Sequence, residues 1–80
     1  MGTGYQLSAK RLDIDLDLSE MAVRTRKFLY RQQISTLRQL LCLVFNKTPA
    51  ELSADDLVVS DIERTLLENH LPSGYWRAVR

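Results

Sequence analysis

Residues 23–41, VRTRKFLYRQQISTLRQLL, constrain the fold more than any other stretch, because they combine the strongest helical periodicity of the chain with a dense set of positive charges. Met21, Ala22, Thr25, Phe28, Leu29 and Gln32 share one face at 3.6-residue spacing, and Arg24, Lys27 and Arg31 form a stripe on another. Ser19 and Glu20 suit the start of this first helix, as cap and as a negative charge at its positive end. Gln32-Gln33 should end or bend it before Ile34. Ser35 is the expected cap of a second helix, with Ile34, Leu37, Leu41 and Val44 at i, i+3, i+7 and i+10. Residues 40–45 are apolar nearly all round, which marks the central core helix or else a surface through which the chain dimerises.

The remaining segments are shorter. Residues 1–11 read as a flexible N-terminal segment, and residues 12–80 as a single helical domain. Residues 12–18 alternate strictly, with Leu12, Ile14, Leu16 and Leu18 on one face of an extended chain and Asp13, Asp15 and Asp17 on the other. They are expected either to pair as a short strand with residues 75–80 or to wrap the helices. Thr48-Pro49-Ala50-Glu51 is a helix start with cap, Pro at the first helical position and a returning Glu. Ser53-Ala54-Asp55-Asp56 can begin a fresh turn, and Ser60-Asp61-Ile62-Glu63 reads as a capping box opening the last helix. That helix carries Val59, Ile62, Leu66 and His70 on one side and stops at Pro72-Ser73-Gly74. The expectation is an all-α or nearly all-α bundle of four to five short helices with an N-/C-terminal β pair as an option.

Charge bears on function. The 80 residues carry a net charge of +1, so no global field draws the chain to nucleic acid or membrane. The charge is unevenly placed. Residues 20–40 hold five bases against one acid, and residues 48–63 hold five acids and no base. Either the two regions meet partners of different kinds, or the protein's own helices attract one another; the second is the simpler explanation.

No catalytic constellation is visible. One Cys and one His are far apart in sequence and cannot build a zinc site alone, and the aspartates of residues 12–18 lack the Gly turn and closing Glu of a calcium loop. No enzyme, no metal and no cofactor is expected. Cys42, within the apolar run, reads as a buried structural thiol and suits a reducing, cytoplasmic setting. The apolar run is too short to span a bilayer, which takes about 20 apolar residues. Tyr75 and Trp76 are core lids or interface anchors, with the interface favoured. The stripe Arg24, Lys27 and Arg31, with Tyr30 beside it, is the candidate contact surface for a protein or for nucleic-acid phosphates. Asp55, Asp56 and Asp61 are the candidate acidic surface. A protein partner is expected first and DNA second, the chain itself being a monomer or weak homodimer.

On these residues the chain resembles the C-terminal domain of the bacterial RNA polymerase α subunit. The matching residues are Leu16-Asp17-Leu18-Ser19, then Val23-Arg24, Leu29, Ile34, Leu37 and Leu40-Leu41 without a gap from residue 23. Asp61-Ile62-Glu63, Leu66, Leu71 and Gly74 follow the style of that domain's last helix and its exit. The resemblance spans residues 16–74 and is most specific over 23–41. It implies four short helices with a helix-hairpin-helix element, minor-groove binding at upstream promoter DNA and contact with transcription regulators. Its DNA-contacting Arg falls on Arg24 and a neighbouring Asn on Lys27. Two departures stand out. Glu20-Met21-Ala22 are extra residues before Val23, and the family's Gly-Lys-Lys-Ser hairpin falls near Asp55-Asp56-Leu57-Val58, where carboxylates repel phosphate. A winged helix competes, with helices over 34–45, 48–57 and 60–71 and a strand over 75–79. Its recognition helix would then carry Asp61, Glu63 and Glu68 against Arg64, a poor groove reader. Both folds point to protein binding ahead of DNA binding, in transcription or its regulation.

Overall fold

A computed structural model of the chain describes residues 12–77. The expected flexible segment 1–11, and residues 78–80 of the expected terminal strand, lie outside the described residues. Three α-helices fall within them: α1 (Val23–Arg31), α2 (Leu37–Asn46) and α3 (Asp56–Glu68), with a short 3-10 helix at Ala50–Leu52 between α2 and α3. The described residues are helical as expected, but they hold three α-helices instead of the expected four to five, and no strand forms among them.

The core follows the periodicity. Leu29 of α1, Leu40 and Val44 of α2, Ile62 and Leu66 of α3, and Trp76 are almost wholly buried. Each such Leu or Ile contributes on the order of 1.5–3 kcal/mol through burial. Residues 40–45 split between core and surface. Leu40 and Val44 point inward, Leu41 and Leu43 are half-buried, and Phe45 and Cys42 are exposed. Cys42 is therefore not a buried structural thiol: it sits between Leu41 and Leu43 on the outer side of a helix whose seam is Leu37, Leu40 and Val44.

The arm of residues 12–18 does not pair with the described residues 75–77. It lies against the start of α2, where Asp15 and Thr36 form an isolated antiparallel bridge. The Leu16 N–H donates to the Ser35 carbonyl at 2.8 Å and the Leu37 N–H to the Ile14 carbonyl at 3.3 Å. The expected apolar face is not buried as a unit: Leu16 is buried, Leu12 and Leu18 are half-buried, and Ile14 is exposed. At the other end, the described residues of 75–77 close α2 instead. The Tyr75 N–H donates to the Val44 carbonyl at 2.9 Å, and the Trp76 indole N–H donates to the Lys47 carbonyl at 2.8 Å. Two carbonyls at the end of a helix, which have no partner inside it, are thus satisfied. Gly74 permits this approach, because a Cβ there would stand 2.3 Å from the Val44 oxygen. Trp76 packs its ring 5.7 Å from Phe28, so it is a core residue and not an interface anchor, whereas Tyr75 is exposed.

Three caps lie elsewhere than the serines suggest. Ser19 donates its N–H and hydroxyl to Asp17 in a local turn, and α1 begins after Ala22. Thr36, not Ser35, caps α2 in a reciprocal box with Gln39. Asp55 caps α3 by accepting from the Val58 N–H at 3.0 Å, so Ser60 lies inside the helix instead of opening it. Starting at Asp56 adds Val58 to Val59 on the buried side of the same helix. The Thr48–Glu51 box forms as expected, but the helix it opens is only the three-residue 3-10 segment.

Helices α1 and α3 end alike. Gln33 and His70 adopt left-handed φ of 58° and 59°. After α1, the N–H groups of Gln33 and Ile34 donate to the carbonyls of Tyr30 and Leu29; after α3, those of His70 and Leu71 donate to Leu67 and Leu66. Both are the doubly hydrogen-bonded exit in which an apolar residue folds back over the last turn. Gln32-Gln33 does end the first helix as expected. His70 lies beyond the last turn of α3, exposed, instead of on its packed side.

Candidate binding surface on α1

Thr25 and Leu29 are the buried side of α1, and they set what the rest of that helix presents. Thr25 meets Asp61 of α3. Asp61 is a residue of the buried interior, not of an acidic surface: one carboxylate oxygen accepts from the Thr25 hydroxyl at 2.6 Å and from the Ala22 N–H at 3.1 Å. Its other oxygen accepts from Arg64 at 2.9 Å. Ala22 has no side chain able to cap α1, so a carboxylate from α3 supplies the anion that the helix N-terminus favours. Among the described residues, every buried side-chain nitrogen or oxygen has a partner.

Next to this joint, Arg24 forms a salt bridge with Asp55. The Asp55 carboxyl is held below its usual range, first by the Val58 N–H it caps and then by the Arg24 guanidinium. The residue onto which the resemblance maps its DNA-contacting Arg is therefore engaged inside the molecule. Of the three candidate acids, Asp55 is paired and Asp61 buried, while Asp56 lies exposed in the first turn of α3. The positive and negative regions of the chain thus meet in part, as the simpler explanation of the charge layout expects.

The outer face of α1 is different. Val23, Arg26, Lys27, Tyr30 and Arg31, spaced i, i+3, i+4, i+7 and i+8, line one open depression of about 310 Å³. All five are exposed, Tyr30 at 85%. None of the three cations makes an ion pair among the described residues. Lys27, Arg31 and Tyr30 of the expected surface are brought together here, and Arg24 is not with them. Arg26 and Val23 were not among the expected contacts. Their signal was the same spacing, read from Val23 instead of from Arg24.

Nothing among the described residues holds a metal: no group of three His, Cys, Asp or Glu side chains converges. No described helix is long and apolar enough to cross a membrane. No family model, no curated protein and no solved structure matches this chain.

Proposed function

We propose that this chain is a small non-enzymatic binding module whose α1 face receives an acidic protein surface, in transcription or its regulation. The observation that carries the reading is the outer face of α1, where Arg26, Lys27 and Arg31 flank the exposed rings and methyls of Tyr30 and Val23 with no described acid to neutralise them. Mixed cationic and aromatic faces suit protein partners, where Tyr and Arg anchor binding. The link to transcription rests on the resemblance of residues 23–41.

Phosphate recognition is less well served. A phosphate is commonly held at an open helix N-terminus. Here α1 is closed by Asp61, α2 by Thr36 and Gln39, and α3 by Asp55. Asp55 and Asp56 also stand where the resemblance expects phosphate-binding residues. DNA binding through the same cations is the competing outcome.

Fluorescence anisotropy tests the proposal with two labelled probes, a Glu-rich peptide and a DNA duplex, at low salt and at about 0.5 M salt, where the Debye length falls to a few ångströms. The expected result is peptide binding at low salt that is lost in the Arg26→Ala, Lys27→Ala, Arg31→Ala triple variant. Absence of peptide binding, or equal binding by the variant, overturns the proposal. Tighter binding of the duplex, lost in the same variant, moves the function to DNA.

A further inference from the structure

On another side of the molecule lies an acidic groove of about 380 Å³, between the N-terminal arm, the approach to α1 and the C-terminal half of α3. Asp15, Asp17, Glu20 and Glu68 line it against a single base, Arg64, which is already held by Asp61. Ile14 also lines it and is 58% exposed. Asp15, Glu20 and Glu68 make no ion pair among the described residues.

The two surfaces are complementary. One presents three cations around Tyr30 and Val23; the other presents carboxylates around an exposed Ile14. We infer that the acidic groove receives the basic α1 face of a second copy of this chain, the two joined head to tail. The contact is heterologous, so each copy that docks leaves one basic face and one groove open, and association continues instead of closing at a pair. Exposed charges form the contact, so it is weak and screened by salt. The inference rests on the binding role given to the α1 face and names an occupant for it.

Sedimentation of the whole chain tests this. At low salt the weight-average mass rises with concentration to at least twofold the monomer mass, and it returns to that of the monomer at about 0.5 M salt. Two variants isolate the surfaces: Arg26→Gln, Lys27→Gln, Arg31→Gln on α1, and Asp15→Asn, Glu20→Gln, Glu68→Gln in the groove. All six side chains are exposed, and unchanged circular dichroism melts verify that both variants fold. Each variant alone is monomeric. Mixed, they form a one-to-one complex that does not grow, because each retains the surface the other has lost. A wild type monomeric at every concentration at low salt overturns the inference, and so does a mixture that stays monomeric. If the wild type is monomeric while the Glu-rich peptide still binds through Arg26, Lys27 and Arg31, the self-association falls and the proposed function stands. If neither is seen, both fall.

Discussion

Asp61 and Asp55, both at or within α3, each hold α1, but in opposite surroundings. Asp61 is buried and takes three donors: the Ala22 N–H, the Thr25 hydroxyl and the Arg64 guanidinium. Asp55 meets Arg24 in the open, with 65% of the Arg24 side chain and 43% of its own exposed. Water competes for the second pair and is excluded from the first. A buried carboxylate with its partners in place is costly to disturb, because the Thr25 hydroxyl and the Ala22 N–H are left without an acceptor when it goes. An exposed pair has water as an alternative on both sides. The Asp61 joint therefore fixes where α1 sits, and the Asp55 pair trims the charge that α1 shows.

Replacing Asp61 by Ala breaks the comparison most severely. It leaves the Thr25 hydroxyl and the Ala22 N–H without an acceptor, and thermal or urea unfolding should show a loss of about 1–3 kcal/mol for each of these donors. A loss no greater than that of an exposed aspartate would mean that the buried joint does not hold α1. Thr25→Val keeps the shape and removes one donor, so the expected loss is smaller, about 1–3 kcal/mol, with Thr25→Ser recovering part of it.

Acid acts on the exposed pair. Hydrogen bonds and charges in the fold hold the Asp55 and Glu51 carboxyls below their ordinary values of 3.8 and 4.5. Groups depressed in the folded state contribute stability that is fully present above the unfolded value and is lost as pH falls through the folded one. Melting temperature should therefore hold from neutrality to about pH 4.5 and fall below it. Because Arg24 helps depress Asp55, the gap between wild type and Arg24→Ala should close as pH falls through that same range. A gap that stays constant down to pH 2 would show that Asp55 does not respond to Arg24.

The smallest effect belongs to Arg24→Ala at neutral pH and physiological salt. Its melting temperature should lie only slightly below that of the wild type, and its binding of the Glu-rich peptide should change far less than that of the Arg26, Lys27, Arg31 triple variant. A large loss of peptide binding on removing Arg24 alone would move the contact surface back to the residue that the resemblance marks.

Much of the helical content was legible because it is local. Leu37 and Val44 of the expected face do form the buried seam of α2, with Leu40 in the place expected of Leu41. Gln33 follows the last turn of α1, and the two-glutamine break could be read there. The caps were less legible. Ser19, Ser35 and Ser60 are all good cap residues, yet Asp61, Thr36 and Asp55 do the work. A serine shows only that a cap is available; whether the helix starts there depends on what the following turn can bury. Cys42 was misread for a related reason, since a run of six apolar residues does not reveal which of them face the seam.

The sequence by itself determined the helical class, much of the apolar side of α1 and α2 and the break after α1, because these depend on spacing within a few residues. Only the tertiary structure decided which charges are spent inside the molecule. The Ala22–Asp61 and Arg24–Asp55 contacts join residues 39 and 31 positions apart. No local pattern encodes such pairs; they exist because α1 and α3 are brought together by Leu29, Ile62, Leu66 and Trp76 in one core. The basic face of α1, Arg26, Lys27 and Arg31 with Tyr30 and Val23, is what remains outside once that packing has taken Arg24 and Thr25.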